Sequence, residues 1–121
     1  MAEDRSFRPD CLFCRIVRGE LPSKTVFDGE DVLAFHDIAP RSPTHILVIP
    51  KVHIASAADL REDDGPLLGR LFAATAAIAR EQGLADDGYR LVSNVGRWGG
   101  QTVDHLHIHL MGGRSFTWPP G

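Results

Sequence analysis

From His105 to Leu110 every second residue is a histidine and every intervening one is aliphatic: His105-Leu106-His107-Ile108-His109-Leu110. Side chains on a strand alternate faces, so this period of two predicts a strand, taken over 104–111. Leu106, Ile108 and Leu110 would anchor it in a core, and the three imidazoles would share the opposite face. A half-buried strand needs partners and a cover, so the chain must build a sheet. At 121 residues it can do so around one core, without disulfide staples.

The remaining elements follow from local signals. A short helix is expected over 11–17, ending near Gly19 with Pro22 beyond it. Strands over 24–27 and 32–37 flank Asp28-Gly29, a hairpin turn pair. After a turn at 39–43, the run 44–49 is rich in β-branched and apolar residues and reads as a central strand. A long helix is expected over 66–82, capped by Asp64 or Gly65, with Pro66 in its first turn and Gly83 past its end. Leu67, Leu68, Leu71, Phe72, Thr75, Ile78 and Ala79 form its apolar stripe. Strands over 89–94 and 104–111 enclose the loop Gly96-Arg97-Trp98-Gly99-Gly100. The expectation is an α+β fold: an antiparallel sheet of about five strands, one long helix and a short N-terminal helix, both packed on one face. Residues 1–10 are expected as a flexible lead-in and 11–121 as a single domain.

Charge and composition narrow the function. A formal net charge of -3 disfavours a general nucleic-acid binder, which carries a basic excess, so no nucleic-acid partner is expected. The start of the chain lacks the apolar run of a secretory signal, and 71–79 is too short to span a bilayer. No membrane partner is expected, and a cytoplasmic location is. In a reducing compartment Cys11 and Cys14, spaced as CxxC, suit a metal, a redox pair or two buried thiols.

On an extended strand the Cα atoms of His105 and His109 would stand about 13 Å apart. Zinc–nitrogen bonds reach only about 2.1 Å, so the three histidines cannot share one metal. They must divide their labour. Neutral imidazole is a competent nucleophile toward phosphorus, and the middle residue, His107, has a neighbour on either side to orient it and to stabilise phosphoryl charge. Gly99, Gly100, Gln101 and Thr102 just upstream can bring backbone N–H groups and a hydroxyl to phosphate oxygens. This loop has neither a Gly-Lys-Ser/Thr ending nor a strand–GxGxxG–helix context.

The stretch His105-Leu106-His107-Ile108-His109-Leu110-Met111 resembles the His-φ-His-φ-His-φ-φ signature of the histidine triad (HIT) superfamily, where φ is apolar. Further runs, at 34–38, 43–51, 99–103 and 112–114 and in the ending Trp118-Pro119-Pro120-Gly121, look like its histidine triad nucleotide-binding protein branch. The resemblance extends from Cys11 onward. It implies a HIT-like fold and a purine nucleoside phosphoramidate hydrolase, which forms a nucleotidyl-histidine intermediate and releases a nucleoside monophosphate and an amine.

By position, the resemblance makes His107 the nucleophile, with the backbone carbonyl of His105 holding its tautomer and His109 contacting the phosphate. Asn94, Gly100 and Thr102 would line the phosphate side, and Asp37 would bind the ribose. Leu12, Phe13, Ile16, Phe35 and Ile38 would wall the base pocket. The resemblance also implies a structural zinc on Cys11, Cys14, His45 and His105, no catalytic cofactor, and a homodimer in which the tail carrying Trp118 approaches the partner's site. His36 and His53 read as surface or turn residues. The alternatives are a dinucleoside polyphosphate hydrolase or nucleotidyl transferase, and a non-catalytic nucleotide-binding regulator.

Overall fold

The computed structural model describes residues 4–121. Five strands form one antiparallel sheet: β1 (Thr25–Asp28), β2 (Val32–His36), β3 (Thr44–Pro50), β4 (Arg90–Val92) and β5 (Ile108–Gly112). Their spatial order is β1-β2-β3-β5-β4. Two α-helices accompany them, α1 (Leu12–Val17) and α2 (Gly65–Glu81), and two short 3-10 turns, Ala57–Asp59 and Glu62–Asp64, lead into α2. The α+β class, the strand number and both helices agree with the sequence reading.

The helices do not share a face. Ile46 and Val48 of β3, with Ala34, Ile108 and Leu110, pack on the α2 side against Leu71, Ile78 and Ala79. Leu47 and Ile49 point the other way and join Leu33, Phe35 and the α1 residues Phe13 and Cys14. The expectation of one covered face is therefore corrected. The reason lies in β3, which is buried at every position from His45 to Pro50. A strand apolar on both sides needs a cover on both sides.

Helix α2 buries Leu71, Thr75, Ile78 and Ala79, whereas Phe72, counted in its stripe, is half exposed. Asp64 is not its side-chain cap. That carboxylate instead takes both guanidinium nitrogens of Arg5, at 2.5 and 3.0 Å, and the Arg61 N–H at 2.8 Å. These donors hold its pKa down at about 2. Gly83 ends the helix as expected, at φ +74°, while Leu84 N–H closes back on the Ala79 carbonyl at 2.9 Å. Ahead of α1, the Arg5 carbonyl accepts from His53 N–H and the Arg18 guanidinium lies 3.4 Å over the Phe7 ring. Residues 1–3 of the expected lead-in lie outside the described residues.

The last strand is shorter than its histidine pattern. Pairing of β3 with β5 runs from Thr44↔Gly112 to Val48↔Ile108. Beyond it Pro50 has no N–H to donate, so the ladder cannot extend upstream. Leu106 N–H turns instead to the Ile54 carbonyl, 2.6 Å away. His105 and His107 thus sit on a bent lead-in and only His109 on the strand. Strand β4 likewise covers just Arg90–Val92 of the expected 89–94.

Among the described residues no helix is long and apolar enough to cross a membrane. Leu110 is wholly buried in the α2-side core. Leu110→Ala should lower the unfolding free energy in urea by about 2–5 kcal/mol.

Candidate active site

Register places the chemistry on the α1 side. Phe35 of β2 stands opposite Leu47 of β3, and Leu47 stands opposite His109 of β5. With α1 leaning over this row, a cavity of about 380 Å³ opens between helix and sheet. Leu12, Phe13, Ile16, Phe35, Asp37, Ile38, Thr102, His107 and His109 line it, all expected site residues. Leu21, Pro22, Ser23, His36, Leu47 and Val103 line it as well and were not anticipated. The turn after α1 carries no chemical signature that marks Leu21, Pro22 or Ser23 as lining residues. Leu47 could have been found from its pairing with the histidine strand.

Hydrogen-bond partners fix the imidazole tautomers. His107 Nδ1 lies 2.6 Å from the His105 carbonyl oxygen. A carbonyl only accepts, so Nδ1 carries the proton and Nε2 keeps a lone pair. Arg41 N–H donates to His45 Nδ1 at 3.0 Å, which puts the His45 proton on Nε2. That N–H points at His109 Nδ1, 2.9 Å away, so neutral His109 carries its own proton on Nε2. One wall of the cavity thus offers a lone pair at His107 and an N–H at His109.

Burial disfavours charge on His45 and His109. Desolvation, reinforced by His107 and His45, pushes His109 down to about 4, with Asp37 opposing. Desolvation also lowers His45. Asp37, His45 and His109 form a compact group of possible metal donors. The Arg41 N–H argues for a hydrogen-bond relay there, since it reserves His45 Nδ1 and leaves Nε2 protonated. The Asp37 carboxylate accepts from Ala39 N–H at 2.8 Å and lies 3.4 Å from His45 Nε2.

Other expected residues brace the loop before the histidines and lie outside the cavity lining. Asn94 Nδ2 donates to the Gly99 carbonyl at 2.6 Å. Gln101 Nε2 donates to the Ala55 and Val103 carbonyls, and its Oε1 accepts from Gly96 N–H. Gly100 sits at φ +80°, and a Cβ on Gly99 would stand 2.3 Å from the Val95 carbonyl oxygen.

Behind the cavity lies a second cluster. Cys11, Cys14, His53 and His105 are all buried, with one donor atom from each within 4.8 Å of the others. The sulfur–nitrogen separations are 3.4 Å (Cys11 to His105), 3.6 Å (Cys14 to His105) and 3.3 Å (Cys14 to His53). A tetrahedral zinc with bonds of about 2.3 Å to sulfur and 2.0–2.1 Å to nitrogen has sulfur–nitrogen edges of about 3.6 Å. His105 Nε2 donates to the Pro50 carbonyl at 2.8 Å, so its Nδ1 lone pair faces the thiols. The donor set therefore fits a structural Cys₂His₂ zinc.

His53, not His45, completes this set. His45 stands opposite Met111 in the β3–β5 register and is engaged with His109 and Arg41. Continuing that register past Val48↔Ile108 brings His105 level with Lys51, beside His53 and at the far end of β3 from His45. Only the β3–β5 register separates the two histidines.

A family model described as HIT domain matches residues 18–116. The chain is 46% identical over 105 residues to the purine nucleoside phosphoramidase of Escherichia coli, covering 87% of this chain and 88% of that protein. It is 51% identical over 112 residues to an uncharacterized HIT-like protein of Synechococcus elongatus, covering 93% and 97%. The crystal structure of a HIT family hydrolase from Legionella pneumophila superimposes with a TM-score of 0.91 at 51% identity, covering 93% of this chain and 100% of that one.

Two outcomes test this geometry. Protein purified without added metal should hold about one zinc per chain by atomic emission; His53→Ala should lose it and His45→Ala should keep it. His109, lowered from 6.5 to about 4 in the folded chain, refuses a proton that the unfolded chain accepts between those values. Its contribution to stability is therefore present above about pH 6.5 and lost as pH falls toward about 4. Urea midpoints should drop across that window, and less steeply in His109→Gln.

Proposed function

Because the chain belongs to the HIT family, we propose that it hydrolyses purine nucleoside phosphoramidates, as the name of its Escherichia coli relative describes for that enzyme. The observation that carries this reading is the 2.6 Å hydrogen bond from His107 Nδ1 to the His105 carbonyl, on the wall of a nucleotide-sized cavity.

The base lies among Leu12, Phe13, Ile16, Phe35 and Ile38, while Asp37 accepts from the ribose hydroxyls and Thr102 donates to the phosphate. Asn94, Gly100 and Gln101 hold the loop that presents Thr102. His107 Nε2 attacks the α-phosphorus, and the bond from phosphorus to the leaving amine breaks. The departing nitrogen takes a proton through the His109 Nε2–H, which solvent replaces, and leaves as the amine. Bonded to phosphorus through Nε2 and to a proton through Nδ1, the His107 ring is cationic, and the His105 carbonyl stabilises it. Water then attacks phosphorus as the bond to His107 Nε2 breaks, giving one proton back to solvent, releasing the nucleoside monophosphate and restoring neutral His107. Zinc on Cys11, Cys14, His53 and His105 would be structural, since four protein donors leave no open position.

We also propose a homodimer. Leu91 on the β4 edge, Val95 just beyond it and Trp118 in the tail are exposed apolar groups that a second copy would cover. Two buried cysteines without a disulfide suit a cytoplasmic location.

Adenosine 5′-phosphoramidate should yield adenosine monophosphate with the unmodified chain. His107→Ala should turn over at least about a thousandfold more slowly while still binding the monophosphate. Folded, nucleotide-binding protein that releases no product would sink the phosphoramidase reading.

A further inference from the structure

The buried Cys₂His₂ cluster and the nucleophile are neighbours through covalent structure, not merely in space. The peptide unit joining His105 to Leu106 presents two groups on opposite sides, as a trans peptide must. Its carbonyl accepts from His107 Nδ1 at 2.6 Å, and its N–H donates to the Ile54 carbonyl at 2.6 Å. His105, one end of that unit, is a donor of the cluster, and Ile54 directly follows His53, another donor. The remaining two donors, Cys11 and Cys14, bracket Phe13 at the start of α1. The Phe13 ring meets His107 edge-on, with centroids 5.2 Å apart and planes at 86°. Each donor is thus itself a residue that touches the nucleophile or its carbonyl partner, or lies within two residues of one.

We propose that His105 is a positioning residue and that the cluster it belongs to sets the tautomer and orientation of His107 when metal is bound. Ligation clamps the His105 ring and the start of the segment carrying Ile54, which fixes both flanks of the peptide unit that faces the nucleophile. It also fixes the start of α1 and with it the Phe13 ring against the other side of His107. Without the metal, the four donors face one another across sulfur–nitrogen contacts of 3.3 to 3.6 Å in place of bonds. The peptide unit, still tied through Leu106 N–H to the Ile54 carbonyl, then has a less rigid mount on its His105 side, and His107 keeps the proton on Nδ1 less exclusively. Nucleotide binding is affected less than turnover, because Asp37, Phe35 and Ile38 belong to β2 and the turn after it, and only the α1 side of the pocket, with Leu12 and Phe13, borders the cluster.

This proposal rests on His107 being the nucleophile, and its test separates the two. The full chain is compared zinc-loaded and after chelation, with circular dichroism confirming that both are folded. Long-range nitrogen–proton spectra report the His107 tautomer, calorimetry reports adenosine monophosphate affinity, and steady-state kinetics on adenosine 5′-phosphoramidate report kcat and KM. The expected result is a pure Nδ1–H form in loaded protein and a mixture after chelation. With it kcat should fall about tenfold or more, while KM and affinity change several-fold less. An unchanged tautomer and unchanged kcat in metal-free folded protein would overturn the proposal. A tautomer that responds to metal in protein with no turnover in either form would uphold the coupling and reject the phosphoramidase reading.

Should chelation unfold the chain, the readouts move to zinc-saturated His53→Cys, which keeps four donors, and His53→Ala, which keeps three. Retained kcat in the first and a fall of about tenfold at constant KM in the second is the expected pattern. Equal kcat in both overturns it.

Discussion

The bond between the His107 imidazole and the His105 carbonyl decides what the rest of the site can do. It is a bond from a side chain to the main chain two residues upstream, so it demands a particular path between them. A regular strand would send both rings to one face with their carbonyls committed to a ladder. The chain avoids that by ending the β3–β5 ladder at Val48↔Ile108 and turning the preceding residues toward Ile54. Pro50, which closes β3, lends its carbonyl to the His105 ring. The irregular stretch before β5 is therefore the part of the fold on which the chemistry depends.

Around that stretch burial disfavours charge on His105 and His109, and hydrogen-bond partners stand in its place. Desolvation dominates at both His105 and His109, and both are held near 4. A chain of oriented acceptors and donors, from Arg41 N–H through His45 to His109, then assigns each proton to one nitrogen. Neutral rings of fixed tautomer can act as lone pair and donor side by side, which two imidazolium rings 4.9 Å apart between centroids could not.

Much of this was legible beforehand. The alternation in His105 to Leu110, the apolar stripe of α2 and the Asp28-Gly29 turn each state a period or a turn chemistry that local physics enforces. What failed to be legible depends on relations between elements. The two-sided cover of β3 is implied by its unbroken apolar run, but which elements supply each cover depends on the tertiary fold. The fourth donor of the cysteine cluster depends on how β3 aligns with β5, and only the register separates His53 from His45. Asn94 Nδ2 and the Gln101 amide carry polar groups suited to phosphate and are also engaged within the loop, an arrangement that no single residue reveals.

Three of the partners that assign protons here are main-chain groups: the amide of Arg41 and the carbonyls of Pro50 and His105. Their identity does not depend on the side chain that happens to accompany them. At position 41 any residue except proline supplies the same N–H. Arg41 can therefore drift in evolution while the relay it starts stays intact, and surveys of residue variability would pass over it. The arrangement is inherited as a backbone path, and its point of vulnerability is a change of loop length between Asp37 and His45.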